Sequence, residues 1–155
     1  MSPAFVALSI CLAAAALEGI LAGKGVRARL AELRHPRFSP PLAVWLLIGG
    51  VYYVVCFAIL YRLIASDLPT PSHKAAVVVL LMLMVANAAW GFLFFRVGNL
   101  RASFLAFIPY GFLALLLAAL LATIDLTCVM LLAPYLAYLG YATWWAHSLW
   151  LLNRC

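Results

Sequence analysis

Residues 75–95 read AAVVVLLMLMVANAAWGFLFF, and this stretch decides the fold. It carries no charged residue, and Asn87 is its single amide side chain. A helix of these 21 residues, at about 1.5 Å per residue, is long enough to cross the hydrocarbon core of a bilayer. Because the stretch is apolar on every face, it predicts a helix whose solvent is lipid.

Four further runs share this character, at about residues 3–21, 42–61, 102–124 and 126–152. Hydrophobic residues make up 69% of the 155-residue chain, and no run alternates polar and apolar residues as a membrane β-barrel would. No Lys or Arg precedes the first run, which favours a retained span over a cleaved signal peptide. The sequence therefore predicts one all-α integral membrane domain over residues 1–155. Its fold class is a bundle of five transmembrane helices with a long first loop at 22–41.

Basic residues gather on one side of the predicted bundle. The links on the N-terminal side carry Arg62 and Lys74. The opposite side carries eight basic residues, namely Lys24, Arg27, Arg29, Arg34, Arg37, Arg96, Arg101 and Arg154. By the positive-inside rule, we expect the N-terminus outside, and the first loop and the C-terminus in the cytoplasm. The net charge of +6 then indicates topology and contact with membrane lipid rather than nucleic-acid binding.

The polar side chains offer little for catalysis. The chain has four acidic residues, none of them paired, and its cysteines and histidines lack metal-ligand spacing. We therefore expect no catalytic residue and no metal site. His147 and His35 could ligate haem iron, although a hydrated or hydrogen-bonded histidine is the commoner role. Glu18 is expected to reach the interface or to form a solvated ion pair with Lys24 or Arg27, with a proton relay as the alternative.

Two helical faces carry the groups best suited to hold a ligand. On the third span, Asn87 shares a face with Trp90 and Phe94, three and seven residues further on. This face suits a flat, partly polar ligand, and an interhelical hydrogen bond is the alternative role for Asn87. On the fifth span, a stripe at helical spacing contains Tyr138, Tyr141, Ala142 and Trp145. Tyr138 is too deep for an interfacial belt, so its hydroxyl needs a partner in the bundle or in a ligand.

Short motifs follow one another along the chain. They are PRFSPP at 36–41, Trp45, Tyr53, Asn-x-x-Trp at 87–90, a Phe pair at 94–95, Asp125, Pro-Tyr-Leu at 134–136 and Asn153. Their order and spacing resemble the TspO/MBR family, the tryptophan-rich sensory proteins related to the mitochondrial translocator protein. The resemblance covers about residues 5–153. It implies a five-helix bundle, often a homodimer, whose cavity opens beneath the first loop.

The chain departs from the family's pattern at positions that line the family's cavity. Arg37 and Phe38 replace tryptophans before the double proline, and Gly49 or a neighbour replaces another tryptophan early in the second helix. Tyr138 stands in place of a tryptophan of the fifth helix, and Tyr141 in place of a small residue one turn later. The resemblance thus implies a divergent member, in which a bulky Tyr141 can narrow the cavity or change its ligand.

The resemblance implies a binder, sensor or transporter of tetrapyrroles such as protoporphyrin IX and haem, or of similar planar apolar molecules such as sterols. No cofactor is obligatory in this hypothesis, since a porphyrin or haem would be the ligand. The expected pocket residues, with the first loop as a lid, are Phe38, Trp45, Tyr53, Asn87, Trp90, Phe94, Tyr138, Tyr141, Ala142 and Trp145. One alternative is light-dependent porphyrin degradation with Trp90 and Trp145 as redox partners. Another is a ligand-free assembly protein that packs through the small residues of 114–122.

Overall fold

The computed structural model describes residues 2–66 and 70–154, and most of these are helical. The helices are α1 (Pro3–Ala22), α2 (Val26–Glu32), α3 (Leu42–Ile64), α4 (Pro71–Gly91) with a π-helical continuation (Phe92–Val97), α5 (Leu100–Leu105), α6 (Phe107–Ala122) and α7 (Leu126–Leu152). Five spans are long and apolar enough to cross a membrane, with α4 and its continuation forming the third and α5 with α6 the fourth. The predicted all-α membrane bundle of five spans is confirmed. Residues 67–69, in the link before the third span, lie outside the described residues.

Polar caps set the starts of two spans. Thr70 Oγ1 accepts a hydrogen bond from the His73 amide, and Pro71 takes the first helical position. The helix therefore begins at Pro71, four residues before the predicted start at 75, because a proline at that position loses no hydrogen bond. Asp125 caps α7 by accepting a hydrogen bond of 2.9 Å from the Thr127 amide. This cap allows α7 to start almost directly after α6 ends.

The five spans pack as a closed ring. The first span, α1, contacts α3 on one side and α4 on the other. The fifth span, α7, contacts α3 and the span formed by α5 and α6, and α6 packs against α4 to close the ring. Around the bundle the order of spans is therefore first, second, fifth, fourth, third. This order brings α1, α3, α4 and α7 around one interior space.

The buried core divides into two clusters. The larger cluster fills the end of the bundle that holds the N-terminus and includes Cys56, Leu80, Leu83 and Leu117. A smaller cluster at the opposite end consists of Phe94, Trp145, Ala146 and Leu149. Phe107 packs against both clusters and connects them.

The fourth span is broken near one end by a proline. Pro109 has no N–H to donate to the carbonyl of Leu105, and α5 ends at that residue while α6 begins at Phe107. Further along, Ala114 is fully buried within the bundle, where its small side chain allows close packing. Ala119 and Ala122 of the same stripe are exposed on the outer surface. Ala114 therefore packs within the bundle, whereas Ala119 and Ala122 do not.

The first loop folds back over one end of the bundle. Arg29 of α2 donates a hydrogen bond of 2.8 Å from Nη2 to the carbonyl of Gly98, in the turn after the third span. Asn153, just after α7, accepts from the Arg34 amide and donates to the Arg34 carbonyl, each at 3.0 Å. Leu30 and Leu33 point into the bundle and pack on the smaller core cluster. These contacts place α2 as a cover on the space between the spans.

Candidate functional site

A cavity of about 410 Å³ lies beneath α2, between α1, α3, α4 and α7. Its lining is mostly apolar and aromatic, with a few polar groups, and its volume falls in the range of roughly 300–1,000 Å³ typical of small-molecule sites. A side pocket of about 50 Å³ adjoins it toward α6 and shares six lining residues with it, namely Trp45, Asn87, Trp90, Tyr135, Tyr138 and Trp145. The bundle therefore contains one continuous region able to accept a ligand.

A carboxylate forms the polar centre of this cavity. The Tyr53 hydroxyl of α3 donates a hydrogen bond of 2.7 Å to Glu18 Oε2 of α1. The Asn87 amide of α4 donates to the same oxygen at 2.8 Å. All three side chains line the cavity, so a single oxygen atom ties together three helices at the wall of the site.

The expected ion pair of Glu18 with Lys24 or Arg27 is therefore wrong. No salt bridge links Glu18 to a basic residue within residues 2–66 and 70–154. Glu18 lies seven residues after Cys11, a buried residue of α1, so it shares the helical face that turns into the bundle. Two hydrogen-bond donors lie on that side, whereas both basic side chains are exposed. The spacing from Cys11 was the signal in the sequence that could have located Glu18 in the site.

Aromatic rings from three helices form the walls. Trp45 of α3 lies 4.8 Å from the ring of Trp145 and 6.2 Å from that of Tyr138, both on α7. Trp90 of α4 stacks on Phe94 at 5.0 Å with an interplanar angle of 13°. The ring of Phe94 lies 5.7 Å from that of Trp145, so it connects the stacked pair on α4 with the rings of α3 and α7. Rings in contact with one another hold their positions, and they offer flat apolar surfaces to a ligand.

Hydrogen bonds outside the cavity fix two of these indoles. Trp90 Nε1 donates to the carbonyl of Ser103 at 3.1 Å, and Trp145 Nε1 donates to Ser39 Oγ at 2.9 Å. The hydroxyl of Tyr138, in contrast, has no hydrogen-bond partner in the described part of the chain, although its ring lines the cavity. The Tyr138 side chain is half-buried, so its hydroxyl is accessible from the cavity and can bond with a ligand.

The structure brings together most of the residues that the sequence singled out. Seven of the ten line the main cavity: Trp45, Tyr53, Asn87, Trp90, Phe94, Tyr138 and Trp145. Ala142 lines the side pocket. The cavity also involves residues that the sequence analysis did not select, among them Glu18, Leu30, Gly49, Tyr52 and Tyr135.

Phe38 and Tyr141 lie outside the cavity lining. The side chain of Phe38 is 71% exposed and points away from the bundle. Its carbonyl accepts a hydrogen bond of 2.7 Å from the Tyr141 hydroxyl, so the backbone at Phe38 holds the loop in place. Tyr141 is drawn toward the loop by this bond and does not narrow the cavity. Gly49 leaves it open instead, because a Cβ atom there would meet nothing within 4 Å.

The mouth of the site is positively charged. Gly23 and Val26 line the cavity, and the exposed basic residues Lys24 and Arg27 follow them directly. The Arg96 guanidinium lies against Gly23, where a Cβ atom would come within 3.2 Å of Nε. The site therefore combines a basic rim with an acidic group inside, and a ligand that enters it meets both signs of charge.

These features define the class of protein: a multi-pass helical membrane protein with an aromatic-walled cavity enclosed by its spans. A model of the TspO/MBR family matches residues 7–151, nearly the whole chain. The protein belongs to the TspO/MBR family, as the motifs predicted. Among curated proteins, no match to the chain is found.

Proposed function

We propose that this protein binds a planar, largely apolar ligand in its cavity, as a sensor or a transporter. Tetrapyrroles such as protoporphyrin IX or haem are the leading candidates, and sterol-like molecules come second. The observation that carries this proposal is the cavity of about 410 Å³ walled by Trp45, Trp90 and Trp145. Membership of the TspO/MBR family supports it.

The distribution of polar groups favours a flat ligand with a polar edge. Asn87 and the free hydroxyl of Tyr138 provide hydrogen bonds inside, while the walls are aromatic. At the mouth, Lys24 and Arg27 could pair with the propionates of a porphyrin. Haem would be held as a ligand by the same walls, and no step of the proposal depends on its iron.

Fluorescence titration of the detergent-purified protein with protoporphyrin IX tests the proposal. Three of the five tryptophans line the cavity, so a bound porphyrin should quench most of the emission in a saturable manner. Tyr138→Ala removes a ring contact and a hydroxyl from the wall, and we expect it to weaken binding about 2- to 10-fold. Asn87→Ala should weaken binding to a similar extent.

Tyr61→Ala is the matched control, since Tyr61 is an exposed tyrosine of α3 outside the cavity. It should leave the dissociation constant unchanged. Absence of saturable quenching in protein that circular dichroism shows to be folded would exclude the tetrapyrrole proposal. Equal weakening by Tyr61→Ala would place the binding outside this cavity.

Light-dependent degradation of a bound porphyrin is the second candidate function. It is favoured by Trp90 and Trp145, which both line the cavity and are joined by contacts with Phe94. Illumination of the complex in air should then bleach the porphyrin absorbance, and Trp145→Phe should slow the bleaching. If the porphyrin bleaches equally fast with and without protein, degradation is excluded and ligand binding is the remaining function.

We propose an orientation with the N-terminus outside and the first loop and C-terminus in the cytoplasm. The bonds of Arg29 to Gly98 and of Arg34 to Asn153 bring the first loop, the turn after the third span and the end of α7 to one side. That side carries eight of the ten basic residues, which supports the assignment. A C-terminal green fluorescent protein fusion in bacteria should fluoresce, and a C-terminal alkaline phosphatase fusion should be inactive. The reverse result would invert the topology.

We also propose that the protein acts as a homodimer, an arrangement that the family resemblance implies. The exposed small residues Ala119 and Ala122 of α6 support it, because they would allow close approach of a second copy. Light scattering in detergent should give the mass of two chains. Ala119→Leu should shift the protein toward the monomer, and a monomeric wild-type protein would contradict the proposal.

A further inference from the structure

Glu18 is the acidic residue that the chain carries inside a membrane span. The other three acidic residues fall in α2 or in the links between spans. A carboxylate at this depth is costly, and such residues usually face the interior of a bundle and take part in its function. Glu18 lines the cavity, so we relate the free-energy cost of placing its carboxylate in the membrane to the function of this site.

The hydrogen bonds of Glu18 leave part of the carboxylate available. Both protein donors, Tyr53 and Asn87, bond to Oε2. Oε1 receives no hydrogen bond from the described residues, and the side chain is only partly buried. The protein thus fixes the carboxylate with one oxygen and leaves the other as an acceptor at the cavity wall.

Aromatic faces complete the surroundings that a cation requires. Trp45, Trp145 and Tyr138 line the same cavity as Glu18 and contact one another. The face of an aromatic ring attracts a positive charge, with tryptophan the strongest, and a carboxylate adds a direct charge partner. No basic side chain forms a salt bridge with Glu18 in residues 2–66 and 70–154, so no cation of the protein occupies the position beside its carboxylate.

We propose that Glu18 makes the cavity selective for planar apolar ligands that carry a protonated nitrogen. The inference rests on the proposed function, because it assumes that the cavity binds a planar ligand. Glu18 would accept the N–H of the ligand through Oε1, while the rings of Trp45 and Trp145 cover the aromatic body. A carboxylate on the ligand is repelled from this position, so a tetrapyrrole would lie with its propionates toward Lys24 and Arg27.

Three probes with the same three-ring plane and different charges test this selectivity. They are 9-aminoacridine as the cation, 9-methylanthracene as the neutral molecule and 9-anthracenecarboxylate as the anion. Dissociation constants are measured by fluorescence in one non-ionic detergent and corrected for partition into empty micelles. The wild-type protein should bind the cation at least about tenfold more tightly than the neutral probe, the factor that roughly 1.4 kcal/mol of charge interaction gives. The anion should bind the most weakly.

Two variants test whether the charge of Glu18 gives this selectivity. Glu18→Gln keeps the size of the side chain and removes its charge, so the ratio of the dissociation constants for the cation and the neutral probe should fall to about one. Glu32→Gln removes an exposed carboxylate of α2 that lies outside the cavity lining, so it should preserve the advantage of the cation. If Glu18→Gln does not fold, Glu18→Ala takes its place, and the cation should lose its advantage there as well.

The outcomes distinguish the inference from the proposed function. Equal binding of cation and neutral probe by the wild-type protein would overturn the role of Glu18 and leave a planar-ligand site intact. A cation advantage that survives in folded Glu18→Gln would also overturn it. Failure of all three probes and of protoporphyrin IX to bind would overturn the proposed function itself.

Discussion

The amide nitrogen of Asn87 lies 2.8 Å from Glu18 Oε2, so a charge introduced at residue 87 tests how much this contact contributes to stability. Asn87→Asp would put a second carboxylate at that distance, and we expect it to lower the free energy of unfolding by roughly 1–3 kcal/mol at pH 8. Thermal melts in detergent measure this loss.

The double variant Glu18→Gln/Asn87→Asp is the control for this prediction. It exchanges acceptor and donor, because the amide nitrogen introduced by Glu18→Gln can donate to the carboxylate introduced by Asn87→Asp. Stability near that of the wild type is expected, and the coupling between the two positions follows from the double-mutant cycle. If the effects of the two single variants add up to that of the double variant, the side chains of residues 18 and 87 are not coupled and their contact contributes nothing to stability.

Asp125 gives a separate prediction at the opposite end of the bundle. Arg62 Nε lies 2.6 Å from Asp125 Oδ2, and this hydrogen bond lowers the pKa of Asp125 from 3.8 to about 2. A lowered pKa means that the carboxylate stabilises the fold at every pH above about 4 and loses this effect as the pH falls toward 2. Asp125→Asn should therefore melt earlier than the wild type at pH 7, and the difference should shrink steadily below pH 4. A difference that is independent of pH would contradict the ion pair.

Single residues mark where sequence reasoning reaches its limit. Asn87 and Trp90 could be assigned to the cavity because they share one face of a long helix, where spacing defines direction, whereas Trp45 was assigned from the family resemblance. Glu18 was misassigned because two nearby basic residues suggested an ion pair, while its actual partners are 35 and 69 positions away in sequence. Phe38 belongs to a loop, whose side-chain directions depend on tertiary bonds such as that from Tyr141.

Among the elements, the spans were predictable and their details were not. Uniformly apolar runs have to cross the membrane as helices, because lipid offers no partner to backbone groups. The π-helical turns of Phe92–Val97 gave no such signal, since they depend on how the third span ends at Gly98. The cover formed by α2 depends on Arg29 and Asn153, which reach across the bundle to segments far away in sequence.

The attachment of α2 gives a prediction at this scale. Asn153 forms two hydrogen bonds with the backbone of Arg34 and one of 2.8 Å with the Leu149 carbonyl. Asn153→Ala removes all three, and we expect amide exchange in residues 26–34 to accelerate roughly 5- to 30-fold, as for a loss of about 1–2 kcal/mol of local stability. The spans should keep their protection. Hydrogen–deuterium exchange with mass spectrometry measures the change.

Arg154→Ala serves as the control for the attachment of α2. Arg154 lies next to Asn153, its guanidinium lies 5.2 Å from the ring of Trp150, and it forms no hydrogen bond to the first loop within the described residues. Its removal should leave exchange in residues 26–34 unchanged. Faster exchange in both variants would show that the end of α7, rather than the Asn153 bonds, holds the loop.

At the scale of the whole molecule, the cavity owes its volume to small residues at its wall, among them Ala15, Gly19 and Gly49. Gly49 lies at its wall, and a Cβ atom there would contact nothing within 4 Å. In the family resemblance, a tryptophan is expected at or near this position. The absence of an indole ring at residue 49 is one physical reason why the cavity is open. Glu18 places a carboxylate at the wall of the same cavity.

Gly49→Trp should therefore fill the cavity. The indole can enter space that is already empty, so we expect the melting temperature to stay the same or rise, while saturable quenching by protoporphyrin IX falls at least about tenfold. Gly50→Trp is the matched control, because Gly50 is the exposed neighbour, has equal room for a Cβ atom and lies outside the cavity lining. It should bind porphyrin as the wild type does. Unchanged binding in a folded Gly49→Trp protein would show that the ligand lies elsewhere on the molecule.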